Sequence, residues 1–436
     1  MAHPSPTLAP HERRKLERNI HLFYAFRLLR EAQIWIPIWI VYLVVDRGFT
    51  LSEVGVAEAA FLIGLTILEV PTGAVADRYG RSKSLTLGAI TLIAALLIFA
   101  FATSFPILLA SFLLWSVADT LMSGADLALL YDSLSALGRQ REYEKLAGRG
   151  EAMLWGGATL AVLIGAPLAA QVSTQFTIFI GAATMAIAAT VALRMVEAPR
   201  HPQSVPATSY LVGARHAIRT AWNLPAVRTA IIFTAAIGAG LGATGFLIQP
   251  FLLDKGQDVD IVFSALQLPG LLAAVVGSLL AFRLVSRAGP IAVLTALPVL
   301  GVGAYAALAL IDDLGAVGFL ALLMMLQSMV QPIATGYINR RVPSDQRATI
   351  LSLQTLMLGL ILAPFSASVG FIFDGLGLQW AFAIPGIALA TLALGAGGLW
   401  VAAHQREQLQ APPPAPASAA PSVVAPVVPP HPGDPG

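Results

Sequence analysis

A chain of 436 residues that is 57% hydrophobic and 11% charged cannot supply the polar surface a soluble protein of this size needs, since soluble domains carry about 25% charged residues. That composition, with a net charge of only +2, excludes an ordinary soluble enzyme, a nucleic-acid-binding protein and a disordered scaffold. The absence of cysteine removes disulfides, thiolate chemistry and Cys-ligated metals, and neither a metal site nor a cofactor is expected. The chain reads as a polytopic membrane protein.

In chain order, residues 1–19 form a polar, basic N-terminal segment (Arg13, Arg14, Lys15, Arg18). The apolar run that follows is too long for a signal peptide and reads as an uncleaved first span. Runs of about 20 apolar residues, the length needed to cross a bilayer, occur twelve times. Six fall at 22–45, 54–76, 85–102, 106–129, 152–170 and 176–195, and six at 229–252, 261–284, 291–311, 314–336, 350–373 and 378–402. The predicted organisation is a six-helix half over 20–195, a central loop over 196–228 holding an amphipathic helix at 210–222, and a second half over 229–402. A tail over 403–436 turns to Pro and Ala from Ala411, a composition that cannot bury a core and reads as disordered or polyproline-like.

Of the 26 Lys and Arg residues, 22 fall on one side of this arrangement. Arg47 and Lys255 fall on the other, and Arg27 and Arg30 inside span 1. Basic residues collect in cytoplasmic loops, so both termini are expected in the cytoplasm. The halves also resemble each other: Arg149…Gly157…Gly165-Ala166-Pro167 in span 5 parallels Arg347…Gly359…Ala363-Pro364 in span 11. Two six-helix repeats with a site between them is a transporter plan.

The loop between spans 2 and 3 reads Gly73-Ala74-Val75-Ala76-Asp77-Arg78-Tyr79-Gly80-Arg81-Ser82-Lys83. It resembles the loop signature of the major facilitator superfamily. The resemblance implies an all-α membrane protein with twelve transmembrane helices in two pseudo-symmetric six-helix halves, working by alternating access. It further implies that Gly73, Asp77, Arg78, Gly80, Arg81 and Lys83 latch the halves in the outward-facing state, while the same cations enforce topology. Independently of any family, Gly73 permits close helix approach, Asp77 suits a helix N-terminus across the bundle, and Gly80 permits a tight reversal. The corresponding loop after span 8, Gly277…Arg283…Arg287-Ala288-Gly289, lacks the acid.

Glu69-Val70-Pro71-Thr72-Gly73 and Ser123-Gly124…Tyr131-Asp132-Ser133-Leu134 are similar to a bacterial efflux branch of that superfamily. Span 5 resembles a loose form of its antiporter signature. The arginine that proton-driven drug antiporters carry in span 4 is replaced by the region of Asp119 and Thr120.

Ionisable groups at membrane depth mark pathways or relays. Those read within the spans, Arg27, Arg30 and Glu31 in span 1, Glu69 in span 2, and Asp119 and Asp126 in span 4, all belong to the first half. Asp119 and Asp126 would lie about 20° apart on one helix at 3.6 residues per turn, and Arg27 and Glu31 would share a face. Glu31, Arg30, Glu69, Asp119 and Asp126 are thus proton-coupling candidates. The competing reading is a static ion pair of Arg30 with a span 4 acid, with Arg27 and Glu69 reaching the interface. The second half offers Gln249, Gln267, Gln327, Gln331 and Gln354, which with Trp35 are the candidates for a substrate cavity. Trp35 and Trp39 equally suit an interfacial belt.

The reading is a proton-coupled antiporter exporting a small organic compound from a bacterial inner membrane. Proton-coupled uptake is the alternative, and a non-transporting receptor or scaffold ranks last. An enzyme is not expected, nor is an ATP-driven pump, because no phosphate-binding loop occurs. The expected partners are the small molecule, protons and the lipid bilayer, with no nucleic acid and a monomeric state.

Overall fold

The computed structural model describes residues 9–198, 219, 221–343 and 346–410. Residues 210–218 and 220 of the expected amphipathic helix, and the Pro/Ala tail, lie outside these. Among the described residues every regular element is helical.

The first half comprises α1 (Pro10–Glu31), α2 (Leu51–Tyr79), α3 (Arg81–Ala100), α4 (Phe105–Met122), α5 (Ala125–Ala136), α6 (Tyr143–Gln171) and α7 (Thr174–Leu193). The second comprises α8 (Pro225–Gly242), α9 (Ile248–Asp254), α10 (Ile261–Leu310), α11 (Val317–Asn339), α12 (Arg347–Leu376) and α13 (Leu378–Gln410). Eleven helical runs among the described residues are long and apolar enough to cross a membrane. One of them, α10, is two helices joined at Gly289 (φ 80°, ψ 159°), so the runs supply twelve spans.

Local chemistry sets several of the helix starts. Thr50 and Glu53 form a reciprocal capping box at α2, with Thr50 Oγ1 accepting from Glu53 N at 3.2 Å and the Glu53 carboxylate accepting from Thr50 N at 3.0 Å. Such a box satisfies two otherwise orphaned donors. Asp260 accepts from Val262 N and Phe263 N at the start of α10. Pro106 and Pro225 sit in the first turns of α4 and α8, where a missing N–H costs nothing.

Three expected spans are not single helices. Span 1 stops at Glu31 and resumes as a 3-10 turn (Ile36–Ile38), one turn of α-helix (Trp39–Val41) and a π turn (Tyr42–Asp46). Pro37 cannot continue an α-helical hydrogen-bond ladder. Span 4 breaks between α4 and α5, where Gly124 adopts the left-handed region (φ 69°). Span 7 breaks between α8 and α9 through the 3-10 turn Ala243–Phe246. Backbone freed from its helix at membrane depth persists where protein groups satisfy it, and at the span 1 break those groups come from the second half.

The halves pack through α2 against α12 and through α6 against α10. Below, the end of the bundle that carries Pro10 and Gln410 is the termini end, and the opposite one is the far end.

Candidate functional site

The far end is sealed across the halves by polar groups. On α12, the Asp374 carboxylate accepts from Leu51 N (3.2 Å), Ser52 N (2.7 Å) and Ser52 Oγ (2.6 Å) at the start of α2. A carboxylate at a helix N-terminus is favoured by the exposed N–H groups there. On α9, Gln249 accepts from Ile40 N at 3.0 Å and donates to Ile36 O at 3.0 Å. Gln267 on α10 donates to Pro37 O at 3.1 Å. These glutamines therefore satisfy the backbone that the break in span 1 releases.

Small residues let the helices meet closely at the same end. A Cβ on Gly370 would strike the Leu51 carbonyl, and one on Gly55 would lie 2.7 Å from the Ser366 carbonyl. Farther along the seam, a Cβ on Gly359 would lie 2.5 Å from Thr66 Oγ1. Towards the termini end, by contrast, Glu69, Pro71 and Gly73 on α2 are exposed, and a Cβ on Gly73 would meet nothing within 4 Å.

The sequence-derived latch residues surround that open region. Arg81 Nη1 lies 2.6 Å from Asp132 Oδ2 and its Nη2 lies 3.9 Å from Asp77 Oδ1, all within the first half. Gly80 takes φ 114° at the α2–α3 junction, a conformation that favours glycine. Arg78 lies over the ring of neighbouring Tyr79 at 5.5 Å, and Lys83 is exposed.

The charges of spans 1, 4 and 5 sort into two clusters. In the first, Arg30 Nη2 is 3.5 Å from Asp119 Oδ1 and Arg30 Nε is 3.8 Å from Glu31 Oε1, and all three side chains are partly exposed (19%, 25% and 29%). In the second, Arg27 Nη1 is 3.4 Å from Asp126 Oδ2 and Arg27 Nη2 is 2.7 Å from Glu151 Oε1. Arg27 and Asp126 are almost fully buried there (6% and 4%). The sequence expectation that Asp119 and Asp126 share one helix face is corrected, because the break at Gly124 puts them on different helices with different arginines. The alternative reading in which Arg27 reaches the interface is also corrected: Arg27 is buried and pairs with Asp126 of α5 and Glu151 of α6.

The glycine stripe of α6 explains how span 1 can break beside these charges. Gly157 lies against the backbone of Leu28 and Ala32, and Gly165 against the Ile34 carbonyl. Larger residues would push α1 away, so the stripe read as an antiporter-like signature has a direct packing role.

The cavity candidates divide as well. Trp35 is 1% exposed, packs between Phe99 and Trp115 at 5.4 and 5.0 Å, and donates to Gln33 Oε1 at 2.9 Å. It belongs to the core of the first half and lines no open space. Gln327 and Gln331 on α11 are exposed yet face inward. Gln327 lies beside Gly242, and Gln331 accepts from Gln354 at 3.3 Å. Gln354 also donates to Thr234 Oγ1 at 3.2 Å, and its own Oε1 is buried without a partner.

Sequence reasoning passed over two acids. Glu151 completes the Arg27 cluster from the first third of α6, just before the apolar run expected there. Glu58 lies inside the expected span 2, where an acid in an apolar run was the available signal, and no ion pair or hydrogen bond engages its side chain among the described residues.

Comparison with known proteins places this architecture. The sequence matches the profile described as Major Facilitator Superfamily over residues 24–366. A stretch of 106 residues, 24% of this chain, is 34% identical to an uncharacterized MFS-type transporter, YxaM, of Bacillus subtilis (strain 168), and spans 26% of that relative. The fold is similar to the crystal structure of a mutant of the nucleoside transporter NupG, with TM-score 0.77 and 16% identity over 88% of this chain and 100% of the other. It is also similar to an inward-facing, unoccupied bacterial homologue of the human lysosomal transporter Spinster, with TM-score 0.68 and 16% identity over 94% of this chain and 100% of that one. At such identities the structural likeness concerns the fold alone.

Proposed function

The chain belongs to the major facilitator superfamily, and from that premise we propose that it exports a small organic compound in exchange for protons. The observation that carries the coupling is the Arg30 cluster, in which one arginine serves both Glu31 and Asp119 in a partly exposed position. A lone buried ion pair resists protonation, because neutralising its acid strands the arginine. With two acids on one arginine, either acid can take a proton while the other keeps the cation paired. In the Arg27 cluster the central Arg27–Asp126 pair is almost fully buried, with Glu151 at its exposed edge, and it ties α1, α5 and α6 together, which suits a structural clamp.

The sealed far end and the exposed faces at the termini end fit one stage of alternating access. With the termini in the cytoplasm, as the distribution of Lys and Arg favours, the conformation is inward-facing. Arg81 then pairs within its own half, with Asp77 and Asp132. In the cycle, Asp119 and Glu31 exchange a proton with the cytoplasm here and with the exterior once the far end opens.

The test is transport in liposomes under an imposed pH gradient, with a panel of cationic, neutral and anionic compounds. Antiport predicts compound-dependent proton movement opposite to the compound. Movement in the same direction would replace export by symport.

A further inference from the structure

Glu58 has no role in the cluster just described, yet the helix carrying it fixes where it points. One face of α2 meets α12 through Gly55, Leu62 and Thr66. Another meets α4, where a Cβ on Gly64 would lie 2.8 Å from Ser116 Cβ and the Phe61 and Trp115 rings pack 4.7 Å apart. Ile63 and Ile67, 40% and 64% exposed, mark the outward face. At about 100° per residue, Glu58 falls between the α12 and α4 faces and roughly opposite the isoleucines. It therefore projects into the interior, between the two halves.

Its depth follows from the same contacts. Both α2 and α4 run from the far end towards the termini end, and the Gly64–Ser116 contact sets their register. Counting back six residues puts Glu58 within about one turn of Phe112. At that level an aromatic layer crosses the molecule: Phe112 lies 5.7 Å from Trp115 and 5.8 Å from Trp39, and Trp39 lies 6.4 Å from Phe246 of the second half. Trp39 and Trp115 are partly exposed.

Among the described residues, no Lys or Arg pairs with this carboxylate. Helix α4 and residues 32–46 of span 1 contain no Lys or Arg, and in α12 the only one is Arg347, at the termini end. An acid with no partner at membrane depth is costly to keep, and aromatic faces attract cations within about 6 Å of their centroids.

We propose that Glu58, with Trp39, Trp115 and Phe246, forms a binding site for the positively charged group of an organic cation. The proposal rests on the reading of the chain as a small-molecule transporter and adds the chemical class of its cargo. The carboxylate supplies the charge, the rings supply a surface for a lipophilic body, and the site takes residues from both halves, so occupancy is felt by the seam that must open. Glu69 lies eleven residues farther along, about 20° from the same face, exposed at the open end, where it would draw the same cations inward.

The experiment is equilibrium binding of radiolabelled tetraphenylphosphonium to the purified full chain in detergent, with no pH gradient. Neutral triphenylphosphine oxide serves as competitor. Binding to the native protein is expected, weakened about tenfold or more by Glu58→Gln, largely retained by Glu58→Asp, and lowered severalfold by Trp39→Ala. The neutral compound should compete poorly with the native protein. Native-like affinity in Glu58→Gln, or no binding of tetraphenylphosphonium to the native protein, would overturn the proposal. Because no proton movement is measured, failure here is separate from failure of the antiport reading, which the gradient experiment alone decides.

Discussion

The two halves share a helix plan but differ in chemistry. The spans of the first half carry Glu31, Glu58, Glu69, Asp119, Asp126 and Glu151, four of them paired with Arg27 or Arg30, whereas the second half offers the neutral amides of Gln249, Gln267, Gln327, Gln331 and Gln354. The amides of Gln249 and Gln267 bind the backbone of the first half's broken span. An amide does this at any pH, so closure of the far end through these residues need not follow protonation. The difference teaches a division of labour: inside the bundle, charge is handled by one half and the other grips it with amides that do not titrate, while the one cross-half carboxylate described above, Asp374, sits exposed at the far end.

Breaking the comparison at the charged half should have the largest effect on stability. Arg27→Ala leaves Asp126 buried without its cation, which typically costs about 3–5 kcal/mol, and should lower the melting temperature in detergent sharply. Arg30→Ala, whose partners are partly exposed, should lower it much less. Equal losses would remove the distinction between clamp and coupling site.

Next come the contacts that the second half makes at the far end. Gly370→Leu forces α12 away from the Leu51 carbonyl and should hold the far end open. Because the chain has no cysteine, a single Cys introduced at Val56 or Phe365 can report this by labelling, which should rise several-fold over the native background. Gln249→Ala removes partners of Ile36 O and Ile40 N and should destabilise the sealed state by about 1–3 kcal/mol, with a smaller increase in the same labelling. Asp374→Asn keeps an acceptor but loses the charge at the α2 N-terminus and should shift it least, by about 0.3–1 kcal/mol. Labelling unchanged by all three would mean that the far end is held by apolar packing alone.

Much of this was legible in the sequence. The twelve spans follow from hydropathy, and the tight α2–α3 reversal at Gly80 from the Gly73–Lys83 pattern. What hydropathy cannot show is where an apolar run stops being one helix, because the average over a window is blind to backbone continuity. Pro37, the Ser123-Gly124 pair and the Gly242–Gly245 stretch were the local signs of the breaks in spans 1, 4 and 7. Once span 4 breaks, the helical phase between Asp119 and Asp126 is lost, so their different arginines could not be inferred from spacing. Glu58 was visible as an acid within an apolar run, but its isolation depends on what α4 and α12 place around it, which only the fold supplies.

The central claim is that the Arg30–Glu31–Asp119 cluster couples protons to transport, and the most direct test separates coupling from movement. In liposomes holding Asp119→Asn, exchange of labelled for unlabelled compound should continue at equal pH on both sides, while accumulation driven by a pH gradient should fall about tenfold or more. Undiminished gradient-driven accumulation in Asp119→Asn, with its pH dependence intact, would contradict the account.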